Sequence, residues 1–341
     1  MKELLFYMVL GHSIVFSQLF NKKNISISAL SDLSISSQDS SFRSHGLELV
    51  LMGNIQPNAM VMAYVTNHFA GGGASVEEVY IDFKKPSRFT SNIKLGYFRP
   101  NFGIINKQHE HTYNFMSAPK SITNLFGMHG WSALGISTIS NLPLAWENYF
   151  SINILQNSIG EVSNYSGHHH EPAVIESDST TGFSLAFRFN QEFAINKSSK
   201  FALGLNMLNG REKESIGFDL QMKNQSKKYR SFLIQMEYYS SKIYSDHLGI
   251  SYHPDEELAS AYIIAGRQFN KKYHLGIIAD HWSYRLKDQE SSSYGIYGAF
   301  APFDDSIAFR FKLLNESGLN NNSYVVLSAV WAIGPHKPQR Y

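Results

Sequence analysis

The stretch Phe183-Ser-Leu-Ala-Phe-Arg-Phe-Asn190 carries a large apolar side chain at every odd position and a small or polar one at every even position. A period of two residues is that of a β-strand with two different faces. Residues 201–206, 216–222 and 307–314 repeat the pattern, in segments of about eight to eleven residues. The chain is therefore predicted to be almost entirely β-structure, with one apolar and one polar face on each strand.

The composition of the polar face indicates the kind of sheet. In a soluble sandwich the outer face is rich in Lys, Glu and Thr, whereas here Gly, Ala, Ser, Asn and Gln dominate, as in a crowded polar lumen. So many strands without helices would also expose long edges unless the sheet closed on itself. The alternating segments number about 17, and single-chain bacterial barrels use even numbers of strands. The prediction is therefore an all-β fold, a transmembrane antiparallel β-barrel of about 16 strands.

The two faces predict the effect of single substitutions. Leu203 is assigned to the lipid face and its neighbour Gly204 to the lumen face. We expect Leu203→Arg to destabilise the inserted barrel by about 2–4 kcal/mol, and Gly204→Ser to be mild.

Two kinds of connection join the predicted strands. Short ones, rich in turn-forming residues, lie at residues 56–58, 270–272 and 301–305, and long ones lie at residues 101–130 and 158–180. Short periplasmic turns and longer extracellular loops are typical of outer-membrane barrels. The sequence thus predicts a location in the bacterial outer membrane.

Composition excludes several classes of function. The 341 residues include 30 Lys and Arg against 28 Asp and Glu, a balance that offers no basic face to a nucleic acid. The chain has no Cys, which excludes a disulfide framework, a thiolate metal site and a Cys nucleophile. Aromatic residues make up 14% of the chain, and we expect many of them in girdles at the two membrane interfaces. The candidates for these girdles are Trp146, Trp282, Trp331, Tyr149, Tyr238, Tyr284 and Tyr297.

The N-terminus has the features of an export signal. An apolar stretch, residues 4–16, follows the charged start, and Val15 and Ser17 suit the two small positions before a signal-peptidase site. We predict that residues 1–17 are a cleaved signal peptide and that residues 18–341 form one barrel domain. A short buried helix or strand is the alternative for the first segment.

One segment resembles a known family. The predicted strand Lys94-Leu-Gly-Tyr-Phe-Arg99 runs into Pro100-Asn-Phe-Gly103, and His109-Glu-His111 and Leu125-Phe-Gly-Met-His-Gly130 follow in the same long loop. These motifs are similar to those of the porin-type barrels of Gram-negative bacteria, including the phosphate-selective porins. The resemblance implies about 16 strands, a long pore-constricting loop, assembly as a homotrimer and diffusion of small hydrophilic solutes.

Histidines in the long loops are candidate metal ligands. His109 and His111 flank Glu110, and His129 lies at the far end of the same loop. A second long loop holds His168, His169, His170 and Glu171. Imidazole and carboxylate groups suit zinc, nickel or copper, and a tetrahedral site can draw on both loops. The spacing matches no zinc signature, so the alternative is that these are polar residues at the water surface. We expect no resident cofactor, and zinc is the ion that these residues would bind.

Lumen charge is the second candidate feature. The residues predicted to line the pore or its entrance are Lys94, Arg99, Arg188, Arg310 and Lys312. Rings of fixed cations favour the passage of anions. The carboxylates predicted on the same face are Asp219, Glu237 and Asp280. Mutual neutralisation of these charges is therefore the alternative.

The sequence predicts a porin-like channel for passive diffusion of small hydrophilic solutes, surrounded by outer-membrane lipid and lipopolysaccharide. We predict no enzyme, because no nucleophile motif occurs, and no nucleic-acid partner. Two other functions stay open. One is a barrel that binds or takes up a divalent metal through its His-rich loops, and the other is a structural or adhesive barrel plugged by its loops.

Overall fold

The computed structural model describes residues 25–335 apart from 70–72, 88, 114, 157–182, 211, 245–253, 304–305 and 320. The predicted signal peptide and residues 168–171 lie outside the described residues. The strands are β1 Ile25–Ser36, β2 Phe42–Arg43, β3 Leu47–Gln56, β4 Ala59–His68, β5 Gly73–Lys84, β6 Thr90–Phe98, β7 Ala133–Ser140, β8 Glu147–Leu155, β9 Ser184–Asn196, β10 Ser199–Asn209, β11 Lys213–Lys227, β12 Arg230–Ile243, β13 Glu256–Gln268, β14 Tyr273–Tyr284, β15 Gln289–Phe300, β16 Ile307–Gly318 and β17 Asn322–Ile333.

These strands form one closed antiparallel sheet. From β3 to β17 each strand pairs with the next, and β1 pairs with β3 through residues 25–31 and with β17 through residues 29–36. The two-residue strand β2 only adds to one end of β1. Sixteen strands therefore form the wall within the described residues, which confirms the predicted barrel and strand number.

The predicted faces are correct. On β9 the side chains of Ser184, Ala186 and Arg188 are buried inside the barrel, whereas Leu185 is 39% exposed on the outside. The same alternation of buried and exposed residues continues along β10, β11 and β16. Outward Leu, Ile and Phe give the barrel the apolar exterior that a bilayer requires.

The two rims of the barrel differ. One rim, the turn end, carries short connections at residues 57–58, 197–198 and 228–229. The other, the loop end, carries the connection of residues 99–132, called the inner loop below, and the connection of residues 156–183. The inner loop contains a 3-10 turn, Glu110–Thr112, and the helix α1, Lys120–Phe126. In the described part of the chain no helix is long and apolar enough to cross a membrane.

The aromatic girdle prediction is only partly correct. Trp146 and Trp331 are 42% and 40% exposed on the outside, as expected of a girdle. Trp282 and Tyr297, by contrast, are 5% and 1% exposed because they point into the lumen. Both rings belong to the apolar core that the inner loop forms with the wall, so they find an apolar environment without facing lipid.

The packing around Gly204 argues against the prediction that Gly204→Ser is mild. Gly204 does face the lumen, but a Cβ atom at this position would overlap the carboxylate of Asp219 on the neighbouring strand β11. That carboxylate is held by Arg188 Nη2 at 2.7 Å and by Asn206 Nδ2 at 2.7 Å, so it has little freedom to move. Glycine is required here by close packing inside the lumen.

Candidate functional site

The inner loop folds into the barrel, and its aromatic side chains pack against β12 and β15 of the wall. Phe102 stacks on Tyr239 of β12 with ring centroids 5.7 Å apart, and Phe126 meets the same ring edge-on at 5.6 Å. Phe115 meets Tyr297 of β15 edge-on at 6.2 Å. The apolar side chains of the loop thus form a core with inward aromatic residues of the wall. Burial of this apolar surface drives the loop inward.

Glu237 of β12 fixes the start of the loop. This carboxylate is fully buried and accepts hydrogen bonds from the backbone N–H groups of Ile104, at 3.0 Å, and Ile105, at 2.8 Å. The hydroxyls of Tyr239 and Tyr262 donate to it as well, each at 2.6 Å. Four donors satisfy the buried charge, which is the condition for burying a carboxylate at acceptable cost.

The wall holds both ends of helix α1. The Asp280 carboxylate of β14 accepts hydrogen bonds from the N–H groups of Lys120, at 2.8 Å, and Ser121, at 3.1 Å. Lys213 of β11 donates to the carbonyl of Leu125 at 3.2 Å. An anion at the N-terminus and a cation at the C-terminus both suit the helix dipole.

The structure shows where the predicted pore-lining cations lie. Lys312 donates to the carbonyl and hydroxyl oxygens of Ser117, at 3.3 and 3.0 Å, and Arg310 donates to the carbonyl of His111 at 2.7 Å. Arg188 pairs with Asp219 at 2.7 Å, with both side chains 2% exposed. Lys94 of β6 lies 4.6 Å above the Tyr80 ring, opposite Asp82 in the sheet.

Arg99 joins the two arms of the inner loop, one before helix α1 and one after it. It is 5% exposed and donates to the carbonyl of His129, at 2.7 Å, and to that of Gln108. It also pairs with Glu77 at 3.1 Å. The predicted lumen cations are therefore bonded to the loop or share the lumen with carboxylates, and the structure brings the predicted Asp219, Glu237 and Asp280 to the same interior.

A β-bulge places two adjacent carboxylates inside the barrel. Consecutive residues of a strand normally point to opposite faces. Tyr64 pairs with Glu78, but Val65 pairs with Val76, so Glu77 is the extra residue of a bulge on β5. Both Glu77 and Glu78 consequently reach the histidine of the inner loop.

His109 is the centre of this cluster. Its Nε2 lies 2.7 Å from Glu78, its Nδ1 lies 3.3 Å from Glu77, and its ring stacks on Tyr64 at 4.1 Å. Burial and the charge of Arg99 lower the pKa of His109, but its contacts with the carboxylates of Glu77 and Glu78 outweigh them and raise it. The loop histidine is thereby fixed against β4 and β5.

The other loop histidines lie around the same space. His111 Nδ1 is 3.1 Å from Glu48 of β3, and the His129 ring lies 5.7 Å from that of His68. His45 bridges Asp32 of β1, at 2.6 Å, and Glu110 of the inner loop, at 3.1 Å. Hydrogen bonds to these two carboxylates raise the pKa of His45 to about 11.

A cavity of about 420 Å³ remains between the inner loop and the wall made by β1, β3, β4, β5, β16 and β17. Its charged and imidazole-bearing lining includes Asp32, His45, Glu48, Glu77, Arg99 and Glu110. It follows β17 along Tyr324, Val326, Ser328 and Val330, which share one face of the strand. This corresponds to about 20 Å of strand at ~3.4 Å per residue.

Sequence reasoning found His109, His111 and His129 but missed the wall carboxylates Glu48 and Glu77. One signal was present, because Val76-Glu-Glu-Val79 interrupts the alternation with two adjacent charges. Such an interruption indicates a bulge. The contact between these carboxylates and the loop depends on how the loop folds, which strand periodicity does not encode.

No protein-family model and no curated protein matches the sequence. Solved structures do match. The outer membrane channel DcaP of Acinetobacter baumannii has a TM-score of 0.57 at 12% identity, with 91% of this chain and 96% of that one covered. An anion-selective porin from Comamonas acidovorans has 0.55 at 9%, with 91% and 99% covered. OmpT of Vibrio cholerae in its trimer form has 0.56 at 7%, with 91% and 98% covered. The fold, a closed 16-stranded barrel with an apolar exterior, is that of porins of the bacterial outer membrane.

Proposed function

We propose that the protein is an outer-membrane channel for passive diffusion of small hydrophilic solutes, narrowed by the inner loop. The observation that carries this proposal is the cavity between the loop and the wall on the side of β1, β3 and β17. Aromatic side chains of the loop pack on the opposite side, against Tyr239 of β12 and Tyr297 of β15. Solutes would therefore pass along the polar, charged lining on one side of the lumen.

We propose that the channel discriminates only weakly between anions and cations. Ion selectivity in a pore comes from fixed charges that face the passing ion. Here Arg188 is paired with Asp219, and Lys312 and Arg310 donate to carbonyls of the inner loop. Carboxylates and guanidinium groups both line the cavity, among them Glu48, Glu77 and Arg99.

The proposed lipid contacts and oligomeric state of the barrel follow from its fold. The apolar outer face would contact outer-membrane lipid and lipopolysaccharide, and the trimer form of the structurally similar V. cholerae protein supports assembly as a homotrimer. Membership of the phosphate-selective porins stays a prediction from the motif around Lys94 and Arg99.

Single-channel recording in a planar bilayer tests the proposal. We expect small, stable conductance steps for the native chain, because the loop fills much of the lumen. Lys312→Met removes the bonds to Ser117 and should increase the conductance or the frequency of switching. Lys272→Met, at an exposed turn, is the matched control and should conduct like the native chain.

A silent bilayer from folded native protein and from folded Lys312→Met would overturn the channel proposal. The result would favour a barrel plugged by its loop, with a structural or adhesive role.

A further inference from the structure

Two buried atoms at the junction of the inner loop and the wall lack a hydrogen-bond partner among the described residues. They are Nδ1 of His109 and Oε1 of Glu48, which lie 3.9 Å apart. His109 is 5% exposed. Glu77 Oε2 lies 3.3 Å from the same nitrogen. One oxygen or nitrogen of each residue lies within 4.8 Å of the others. Unpaired polar atoms in a buried site are costly, so this convergence calls for a ligand.

The charges around these atoms favour a cation. Glu48, Glu77 and Glu78 contribute three carboxylates, and Arg99 contributes one guanidinium. Three negative charges and one positive charge leave a formal charge of −2 when the His109 ring is neutral, which is the form that ligates a metal. A divalent ion would bring the group to neutrality, which lowers the cost of keeping these charges away from water.

We propose that Glu48, Glu77 and His109 form a binding site for a divalent transition metal of the zinc class. Imidazole nitrogen and carboxylate oxygen are the ligands of such sites, at about 2.0–2.2 Å from the ion. Tetrahedral ligands at these lengths stand about 3.3–3.6 Å apart. The separation of His109 Nδ1 and Glu77 Oε2 already fits, and that of His109 Nδ1 and Glu48 Oε1 requires a shift of about half an ångström. The adjoining cavity would supply water for the fourth position.

The surroundings of His109 support this assignment. Its other nitrogen, Nε2, lies 2.7 Å from Glu78. A carboxylate on the distal nitrogen of a ligating histidine fixes the tautomer and orients the ring toward the metal. Stacking on Tyr64 holds the ring further. The bulge at Glu77 serves this geometry, because it lets one residue ligate the ion while the next one orients the histidine.

The site differs from one built of the His-rich loops. It takes one ligand from the inner loop and two from the wall strands β3 and β5, so the ion would cross-link the loop to the barrel. The inference concerns metal binding and does not depend on which solutes cross the channel.

Calorimetric titration of the metal-free, folded barrel with zinc tests the proposal. The His168→Ala/His169→Ala/His170→Ala variant serves as the background, so that the His-rich segment contributes nothing. We expect one zinc ion per chain in this background. Adding Glu48→Gln should weaken binding about 100-fold, and adding Glu78→Gln about 10-fold, because Glu78 only orients the histidine.

Glu192→Gln, near the turn end of β9, is the matched control and should bind zinc as the background does. Glu48→Gln keeps the size of the side chain, and folding of each variant is checked by heat-dependent gel mobility. The proposal is wrong if the triple-alanine background binds no zinc, or if Glu48→Gln and a second variant, His109→Gln, both bind as tightly as the background.

Discussion

Charged side chains inside the lumen are held by specific protein partners. The Arg188 guanidinium is 2% exposed and bonded to Asp219 and Asn190. A buried pair of this kind contributes little net stability when intact, but breaking it leaves a buried charge unpaired. Substitutions that disturb such pairs are therefore more damaging than their size suggests.

Gly204→Ser tests this close packing. The new side chain would displace the Asp219 carboxylate from Arg188 and Asn206, so we expect a loss of about 1–3 kcal/mol, the usual cost of overpacking. Ala202→Ser, on the same face of β10, adds only a hydroxyl to a Cβ atom that is already present and is the control. Unfolding in urea, followed by Trp fluorescence, measures both. Equal stability of the two variants would contradict the argument.

The raised pKa of His45 predicts that the stability of the contact between His45 and the inner loop depends on pH. Its pKa is raised from 6.5 to about 11 by hydrogen bonds to Asp32 and Glu110, so its protonated form stabilises the folded state. A raised pKa gives stabilisation that is complete below about pH 6.5 and is lost as the pH rises toward 11. The ring is half exposed, so solvent screens the effect.

We therefore expect amide exchange near Glu110, after correction for its intrinsic pH dependence, to accelerate between pH 7 and 11. The His45→Gln variant should show much less of this acceleration. It keeps every other titrating group of the native protein, so the difference would report on His45 alone. An identical pH profile in both proteins would show that His45 does not fasten the loop.

At the scale of elements, the inner loop behaves as a part of the barrel interior. Glu237 holds its start, Asp280 and Lys213 hold the ends of α1, and Arg99 ties its two arms together. The bulge on β5 adds the contacts of Glu77 and Glu78 with His109. Each contact is a charge-assisted hydrogen bond or an ion pair, and such hydrogen bonds are about twice as strong as neutral ones.

Glu237→Gln should release the start of the loop. The carboxylate accepts from four donors, whereas an amide offers one oxygen and turns an NH₂ group toward the remaining donors. An unsatisfied buried polar group costs about 1–3 kcal/mol. We expect faster amide exchange at Ile104 and Ile105.

Glu192→Gln, the same chemical change near the turn end of β9, where Glu192 pairs with Lys200, is the control. Unchanged exchange at the two isoleucines in Glu237→Gln would show that the apolar core of the loop suffices to hold it.

At the scale of the whole molecule, the apolar exterior sets the relation of the barrel to the membrane. Leu203 lies near the middle of β10 on the outer face. Leu203→Arg should destabilise the folded barrel in a bilayer by about 2–4 kcal/mol, because a charge at mid-membrane depth is poorly solvated.

Asn209→Arg, at the loop-end rim of the same strand, is the control and should cost about 0–1 kcal/mol. Refolding into lipid vesicles under urea titration measures both variants. A similar loss in the two would show that Leu203 does not lie at mid-membrane depth.

The amino-acid sequence by itself determined the barrel. Residues 183–190, 201–206 and 307–314 alternate between apolar and polar side chains. This alternation reflects the two-residue period of a strand, which is the same whichever strands lie beside it. It yielded the two faces and the inward direction of Arg188 and Arg310, whereas the strand number also required the rule that single-chain bacterial barrels use even numbers. Turn-forming residues predicted the contrast between short turns and long loops, because turn preference is also a local property of the sequence.

Only the tertiary structure decided what fills the barrel. Trp282 and Tyr297 were assigned to the membrane interfaces, but the inner loop gives them an apolar partner inside the lumen. The wall residues that contact His109 are separated from it by 31 residues or more along the chain, and one of them, Glu77, turns inward only because of a bulge. Local patterns record which way a residue points, whereas the pairing of loop and wall depends on contacts between distant segments, which no periodicity encodes.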